Sequence, residues 1–452
     1  MLRFGTDGVR GHALTELTTT YATWLGRAAV SVLGAGDWLI GRDTRESGPA
    51  LQEAFARGLI AGGATPRSLG VAPTPAVAWL SADRGLPAAM ITASHNPWHD
   101  NGIKIFAPGG TKLSDDVEAA IEREVERIAE HDGGDDDATA PGGSTADDGD
   151  AIDPHRLGTD GYAAALVSQF PAGVLGGLRI VLDCANGAMS EVAPRVAREL
   201  GADVVVLHAS PDGRNINDHC GATAPASLAA AVVADGAALG LAFDGDGDRV
   251  IAVDHLGNVV DGDRLIALAA LQLRDEGHLV DDTVVVTVMT NLGFRRAMEL
   301  HGIRVVETAV GDRYVLEALD AGGYAVGGEQ SGHIIYRRIA TTGDGLLAGL
   351  RLAEHVVERG RQLADLAGGV MTSYPQVLVN VRVAERHPHI ADELAAEIAE
   401  GERALGGEGR ILVRASGTEP LVRVMVEAAT HELAQSTADA LARVVAERFA
   451  AS

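Results

Sequence analysis

Leu178-Arg179-Ile180-Val181-Leu182 reads as a buried strand, and Val284-Val285-Val286-Thr287-Val288 as another. Between them lie alanine-rich helical patterns at residues 191–200 and 225–234. Strands spaced by helices predict open, largely parallel α/β sheets. The same apolar runs carry the chemistry. Leu239-Gly240-Leu241-Ala242-Phe243 passes straight into Asp244-Gly245-Asp246-Gly247-Asp248-Arg249, and Ala88-Ala89-Met90-Ile91 into Thr92-Ala93-Ser94-His95-Asn96-Pro97. Tyr324-Ala325-Val326 leads to Gly328-Glu329-Gln330-Ser331-Gly332-His333, and Ile411-Leu412-Val413 to Arg414-Ala415-Ser416-Gly417-Thr418-Glu419-Pro420. Ligands of open α/β sheets bind at the carboxyl ends of strands, so this placement predicts sites that face one cleft.

The tail has a different pattern. Residues 377–383, 411–413 and 422–426 read as strands, and 390–404 and 433–449 as helices, which makes a compact α+β unit. A chain of 452 residues is too long for one core and should divide into about three or four domains. The boundaries expected are 1–155, 156–255, 256–370 and 371–452. Residues 132–150 are acidic, rich in Gly and apolar only at alanine. Such a segment buries too little surface to order itself and reads as a solvated linker.

The net charge of −26 repels nucleic acid and anionic membranes, so neither is expected as a partner. Any anionic substrate must then be met by arginines concentrated locally. The two cysteines, Cys184 and Cys220, make neither a disulfide framework nor a CxxC site and suit a reducing cytosol. Met1-Leu2-Arg3-Phe4-Gly5 lacks a basic-then-apolar signal pattern, and no window approaches the roughly 18 apolar residues of a membrane span. The expectation is a cytoplasmic protein.

Three carboxylates on alternate positions, Asp244, Asp246 and Asp248, repel one another unless a cation joins them. Hard oxygen donors suit Mg²⁺. The EF-hand pattern fails, because its sixth position holds Arg249 and its twelfth His255. Ser94 is a nucleophile that needs activation. Lys104, in Asp100-Asn101-Gly102-Ile103-Lys104, could move a proton if its pKa falls. Arg414, Ser416, Gly417 and Thr418, with Arg423 beyond, offer an anion nest with bidentate guanidinium contacts. Glu329, Ser331 and His333 alternate acceptors and donors, as sugar hydroxyls or an amine require. Arg10, in Phe4-Gly5-Thr6-Asp7-Gly8-Val9-Arg10-Gly11, can reach a phosphoryl group. Together these describe phosphoryl transfer on a phosphorylated small molecule. A phosphatase and a non-catalytic sugar-phosphate binder remain open on the residues alone.

The five motifs, in this order and across essentially the whole chain, resemble the α-D-phosphohexomutases. The resemblance implies three related α/β domains with mixed, largely parallel sheets and a C-terminal α+β domain around a central cleft. It implies a phosphoserine at Ser94, with Mg²⁺ between its phosphate and Asp244, Asp246 and Asp248. Lys104 and Arg10 match positions near the transferring group, and Arg249 one beside the metal. Gly311 and Asp312 match a sugar loop, Glu329 and Ser331 the loop for sugar hydroxyls. Arg414, Ser416, Gly417, Thr418 and Arg423 match the clasp for the phosphate that stays. Gln330, Gly417, Gly311-Asp312-Arg313 and residues 4–11 are most similar to the branch acting on glucosamine phosphates. The reaction then expected is the interconversion of glucosamine 6-phosphate and glucosamine 1-phosphate. It runs through a bisphosphorylated sugar, with glucosamine 1,6-bisphosphate or glucose 1,6-bisphosphate as priming activator and a homodimer as the assembly. The branch acting on mannose and glucose phosphates is the alternative.

Overall fold

The computed structural model describes residues 1–5, 7–132, 159–416 and 420–449. Apart from Asp132, the acidic stretch lies outside the described residues, as do the motif positions Thr6, Gly417 and Thr418. The chain divides into two compact units, Met1–Val288 with Val305–Ala367, and Met289–Arg304 with Gly368–Ser452.

Three mixed sheets build the first unit. The first runs in the order Phe4–Gly5, Gly8–His12, Asp100–Ala107, Ala88–Ile91, Asp37–Arg42 and Thr65–Val71, with Thr111–Lys112 added to Asp100–Ala107. Asp37–Arg42 is parallel to both neighbours, whereas Asp100–Ala107 is antiparallel to Ala88–Ile91 and to Gly8–His12. The core on one face gathers Leu25, Trp38, Leu51, Phe55 and Ile121 from this sheet and its helices. Helices Thr19–Leu33 and Gly48–Ala61 cross closely because Gly26 and Gly58 have no side chain. A Cβ on Gly26 would lie 2.3 Å from the Phe55 carbonyl oxygen, and one on Gly58 2.0 Å from that of Thr23.

The second sheet runs Val259–Val260, Val250–Asp254, Leu239–Phe243, Arg179–Asp183 and Asp203–Leu207. Its last three strands are parallel, and every residue of Leu239–Phe243 is buried. The expected helices appear as Met189–Glu199 and Ala226–Asp235. The third sheet runs Arg304–Thr308, Thr283–Thr287, Val326–Gly328 and Ile334–Tyr336. Tight turns from parallel strands into Val250–Asp254 and Ile334–Tyr336 explain why these sheets are mixed.

In the second unit Gln376–Arg382 and Gly409–Ala415 flank Leu421–Ala428, all antiparallel. Val422, Val424 and Val426 point to a core shared with Leu441 and Val445 of helix His431–Phe449. The single helix expected over 390–404 is two, Ile390–Glu393 and Ala395–Ala404. They part at Leu394, whose φ of −113° and ψ of 16° leave the helical region, while its side chain is fully buried in that core. Helix Leu292–Leu300 belongs to this unit too. Asn291 donates through Nδ2 to the Tyr374 carbonyl at 3.0 Å, and the Leu292 amide donates to Glu427 Oε2 at 2.9 Å. Among the described residues no helix is long and apolar enough to cross a membrane, and both cysteines are free and buried.

Candidate active site

Ser94 opens the turn that follows strand Ala88–Ile91, and Asp244 follows strand Leu239–Phe243 directly. Both strands are central in their sheets and end at one place. The Ser94 hydroxyl donates to Asp244 Oδ2 at 2.5 Å. The approach depends on Gly245, where a Cβ would lie 2.7 Å from the Ser94 carbonyl oxygen. Ser94 itself is buried and holds a φ of +53°, a left-handed conformation that a non-glycine residue adopts only with support.

Asp244, Asp246 and Asp248 have carboxylate oxygens within 4.8 Å of one another, and all three residues are buried. Lys104, buried in strand Asp100–Ala107, donates to Asp246 Oδ2 at 2.8 Å and Asp248 Oδ2 at 2.9 Å. Thr74, at the start of helix Thr74–Arg84, donates its hydroxyl to Asp246 Oδ2 at 2.6 Å and its amide to the Asp246 carbonyl at 2.9 Å. The remaining oxygens, Asp246 Oδ1 and Asp248 Oδ1, are buried without a hydrogen-bond partner. A buried carboxylate oxygen left bare is costly. Two of them, within a trio of converging carboxylates, fit a small hard cation.

The charges follow. Burial, then Asp248 and Asp246, push Asp244 well above the carboxylate range. Against its own burial, Asp248 is held well below that range by Lys104 and His333. Burial works against charging Lys104, yet Asp246, Asp248 and Asp7 hold it above the ordinary lysine range. A lowered pKa is the condition on which the sequence makes Lys104 a proton-transfer group, and the carboxylates around it reverse that condition. Here it is protonated and paired with Asp246 and Asp248. Burial, Arg249 and Arg10 bring His95 down to about 4, so it is neutral at pH 7. Its Nδ1 lies 3.3 Å from the Ser94 oxygen.

Arg249 joins this site to the sugar-type loop. Its amide donates to Asp244 Oδ1 at 3.2 Å, its Nε lies 3.8 Å from Asp248 Oδ1, and its backbone bridges to His333. His333 Nδ1 lies 3.7 Å from Asp248 Oδ1 and Nε2 3.5 Å from Asp312 Oδ2. Burial opposes its charge while Asp248 and Asp312 raise its pKa. The Gly343 amide donates to Nε2 at 3.1 Å, which assigns the proton to Nδ1, facing Asp248. Glu329 Oε1 accepts from the Gly311 amide at 3.1 Å, and burial raises its pKa. Ser331 is exposed on the same turn. Arg10 pairs with Asp7 at 3.1 Å, and its Nε and Nη2 are buried without a hydrogen-bond partner.

The structure thus brings Ser94, Lys104, Asp244, Asp246, Asp248, Arg249, Asp312, Gly311 and Glu329 into one connected network within the first unit. Asp7, of the first motif but given no role by the sequence, belongs to it, as do Thr74 and Lys112, which carried no local signal. Lys112 lies 3.3 Å from Asp7 Oδ1 and also pairs with Asp312. Arg414, Ser416 and Arg423 lie in the second unit. Arg414 and Arg423 are directly opposite in the ladder of Gly409–Ala415 and Leu421–Ala428. Burial, then Arg423, lowers the Arg414 pKa, and Arg423 Nε is buried without a hydrogen-bond partner. Like charges in register oppose pairing and suit an anion between them.

A second group, Asp183, His208 and Cys220, has ligand atoms within 4.8 Å of one another. The Asp183 oxygens already accept the Ala185 amide at 2.9 Å and the Gly221 amide at 3.0 Å, so that carboxylate anchors turns.

Four family models match the chain. They are phosphoglucomutase/phosphomannomutase alpha/beta/alpha domain I over residues 1–132, domain II over 160–257, domain III over 261–374 and the C-terminal domain over 378–444. A phosphoglucosamine mutase of Kineococcus radiotolerans is 51% identical over 464 residues, covering 99% of both chains. Another, of Frankia casuarinae, is 53% identical over 462 residues, covering 99% of this chain and 97% of its own. Among solved structures, a phosphoglucomutase/phosphomannomutase family protein from Burkholderia thailandensis aligns with a TM-score of 0.77 at 23% identity, over 98% of this chain and 97% of its own. An Aspergillus fumigatus N-acetylphosphoglucosamine mutase, solved with GlcNAc-6P and magnesium, aligns with a TM-score of 0.68 at 20% identity, over 99% and 96%.

Proposed function

Because the chain belongs to the phosphoglucomutase/phosphomannomutase family, we propose that it interconverts glucosamine 6-phosphate and glucosamine 1-phosphate, the phosphoglucosamine mutase reaction. The observation that carries this is the buried Ser94 hydroxyl, 2.5 Å from one of three converging carboxylates, two of whose oxygens have no hydrogen-bond partner.

In this reading Ser94 carries a phosphoryl group. The bond from phosphorus to Ser94 Oγ breaks as one forms to the free sugar oxygen. Lys104 protonates the departing serine oxygen and is reprotonated by the attacking sugar hydroxyl, and both proton moves reverse when the second phosphoryl group returns to Ser94. The intermediate is a bisphosphorylated hexosamine, which turns over between the two transfers, and a hexose 1,6-bisphosphate primes the serine. Asp244, Asp246 and Asp248 would hold Mg²⁺, whose charge, when bound, offsets that of the phosphoryl oxygens. Arg10 and Arg249 add positive charge beside them. Gly311, Asp312, Glu329 and Ser331 bind the sugar. Arg414, Ser416, Gly417, Thr418 and Arg423 hold the phosphate that stays. The same reading divides the chain at residues 155, 255 and 370, puts it in the cytoplasm and makes it a homodimer, which light scattering decides.

An assay of glucosamine, glucose and mannose 6-phosphates side by side tests the substrate. A site that satisfies a buried amine rejects analogues without it. Glucosamine 6-phosphate should lead in kcat/KM by at least about tenfold. Equal efficiency with mannose 6-phosphate would move the activity to that sugar and leave the mechanism standing.

A further inference from the structure

Both main-chain polar groups of Ser94 are held by one buried ion pair that the mechanism above does not use. The Ser94 amide donates to Thr92 Oγ1 at 2.8 Å, and the Thr92 hydroxyl donates to Asp43 Oδ2 at 2.7 Å. The same Asp43 oxygen accepts from Arg45 Nε at 2.9 Å, while Asp43 Oδ1 accepts the Arg45 amide at 3.0 Å. The guanidinium then closes the circuit. Arg45 Nη2 donates to the Ser94 carbonyl at 2.9 Å and to that of Asn96 at 2.8 Å. Arg45 Nη1 donates to the Asp100 carbonyl at 2.9 Å and also to that of Pro97. One side chain thus engages four carbonyls of a seven-residue turn, residues 94–100, and both Arg45 and Asp43 are essentially unexposed.

A second clamp comes from the loop that follows strand Asp203–Leu207 of the second sheet. Asn217 Nδ2 donates to the same two carbonyls, of Ser94 at 2.9 Å and of Asn96 at 3.2 Å. Asn217 has a φ of +58°, a conformation that Asn tolerates better than most residues and that Gly adopts freely. This turn therefore owes its shape to side chains from two loops, one after strand Asp37–Arg42 and one after strand Asp203–Leu207. The load is specific to a guanidinium. Its planar fork carries five N–H donors in fixed directions, whereas an ammonium carries three on a flexible stem and cannot span four carbonyls and a carboxylate together.

We infer that Arg45 and Asn217 are positioning residues for phosphoryl transfer: they hold Ser94 in its left-handed conformation, with its hydroxyl aimed at Asp244, and set the rate of transfer without touching the sugar. The inference rests on the reading of Ser94 as the phosphoryl carrier. Small displacements of a reacting atom are costly in rate, while sugar affinity depends on other loops. Loss of the clamp should then lower kcat and spare KM.

The test compares wild type, Arg45→Lys and Asn217→Gly as full chains, with whichever hexose 6-phosphate the wild type turns over best. Thermal melting reports folding, and Mn²⁺ titration calorimetry reports the carboxylate trio. Arg45→Lys should lose kcat on the order of 10²-fold with KM within about threefold, and Mn²⁺ affinity should hold. Asn217→Gly keeps the backbone conformation and should lose kcat about fivefold to tenfold with KM again unmoved. A folded Arg45→Lys with kcat within about twofold of wild type, or a loss confined to KM, overturns the inference. If Arg45→Lys does not fold, Asn217→Gly decides alone, and unchanged kcat there is fatal. A wild type that turns over no hexose phosphate fails the functional reading and takes the inference with it. An active wild type with two unaffected variants fails the inference only.

Discussion

Two buried ionic clusters touch the Ser94 turn, and they are built on opposite principles. In Asp43, Arg45 and Thr92 both Asp43 oxygens are engaged, and the guanidinium reaches four carbonyls. In Asp244, Asp246, Asp248 and Lys104 three carboxylates meet one ammonium, with Arg249 and His333 beside Asp248, and two oxygens lack a hydrogen-bond partner. Both are buried. The first has nothing left to bind and can only hold shape. The second has spent part of its bonding capacity on Lys104 and Thr74 and keeps the rest for a partner. Full satisfaction marks scaffolding, and a residue of unmet oxygens in a buried acidic group marks a site.

Four measurements can break or sharpen that contrast. The largest effect belongs to the residue both clusters serve. Ser94→Ala should fold as wild type and lose turnover by at least about 10⁴-fold. Activity within about tenfold of wild type would leave both clusters without their shared purpose.

Next comes the satisfied cluster. Asp43→Ala leaves Arg45 buried and unpaired, and urea unfolding should report a loss of about 3–5 kcal/mol. Mn²⁺ affinity of the folded fraction should be unchanged. A variant as stable as wild type would show that the ion pair is not scaffolding.

Asp344 is a third kind of buried carboxylate, one with neutral donors only. Tyr162 donates its hydroxyl at 2.9 Å and the Leu347 amide donates at 2.9 Å. Burial outweighs both and raises its pKa from 3.8 to about 6. The folded state therefore keeps a proton that the unfolded state has released. This contribution to stability is full below the unfolded value and is lost as pH rises through the folded one. Asp344→Asn removes the titration and retains a helix cap. Its stability relative to wild type should rise by about 2.4 kcal/mol between pH 4 and pH 7. A difference that stays flat across that range would refute the raised pKa.

The smallest effect is at the unsatisfied cluster. Asp246→Asn should weaken Mn²⁺ binding by about tenfold, or about 1.4 kcal/mol, and leave the melting temperature nearly unchanged. Excess chelator should abolish turnover and Mg²⁺ restore it. Full activity in chelator would remove the cation from the reading.

Much of this was legible in the chain, for a physical reason. Strands Ala88–Ile91 and Leu239–Phe243 are apolar throughout because both are central, so the polar residue that ends each run stands out. The motif then sits where the strand stops. What stayed hidden acts across long separations. Thr74 reaches Asp246 from 172 positions away, and Arg45 reaches Ser94 from 49. Nothing in Gly41-Arg42-Asp43-Thr44-Arg45 departs from an ordinary polar turn. Arg45 is recognisable only when its burial is seen, since a buried guanidinium must have acceptors. The break at Leu394 was hidden likewise, because an apolar residue fits both a continuous helix and a buried corner.

Arg414 and Arg423, facing each other across one ladder, have a practical consequence for the bench. Two adjacent guanidiniums attract whichever oxyanion the solution offers. Phosphate and sulfate buffers would then compete with sugar phosphate at that turn, and the C-terminal unit would melt higher in them than in chloride of equal ionic strength. Kinetic constants for this chain belong in a buffer without such anions, and a melting series across anions is the quickest look at whether the pair is exposed to them.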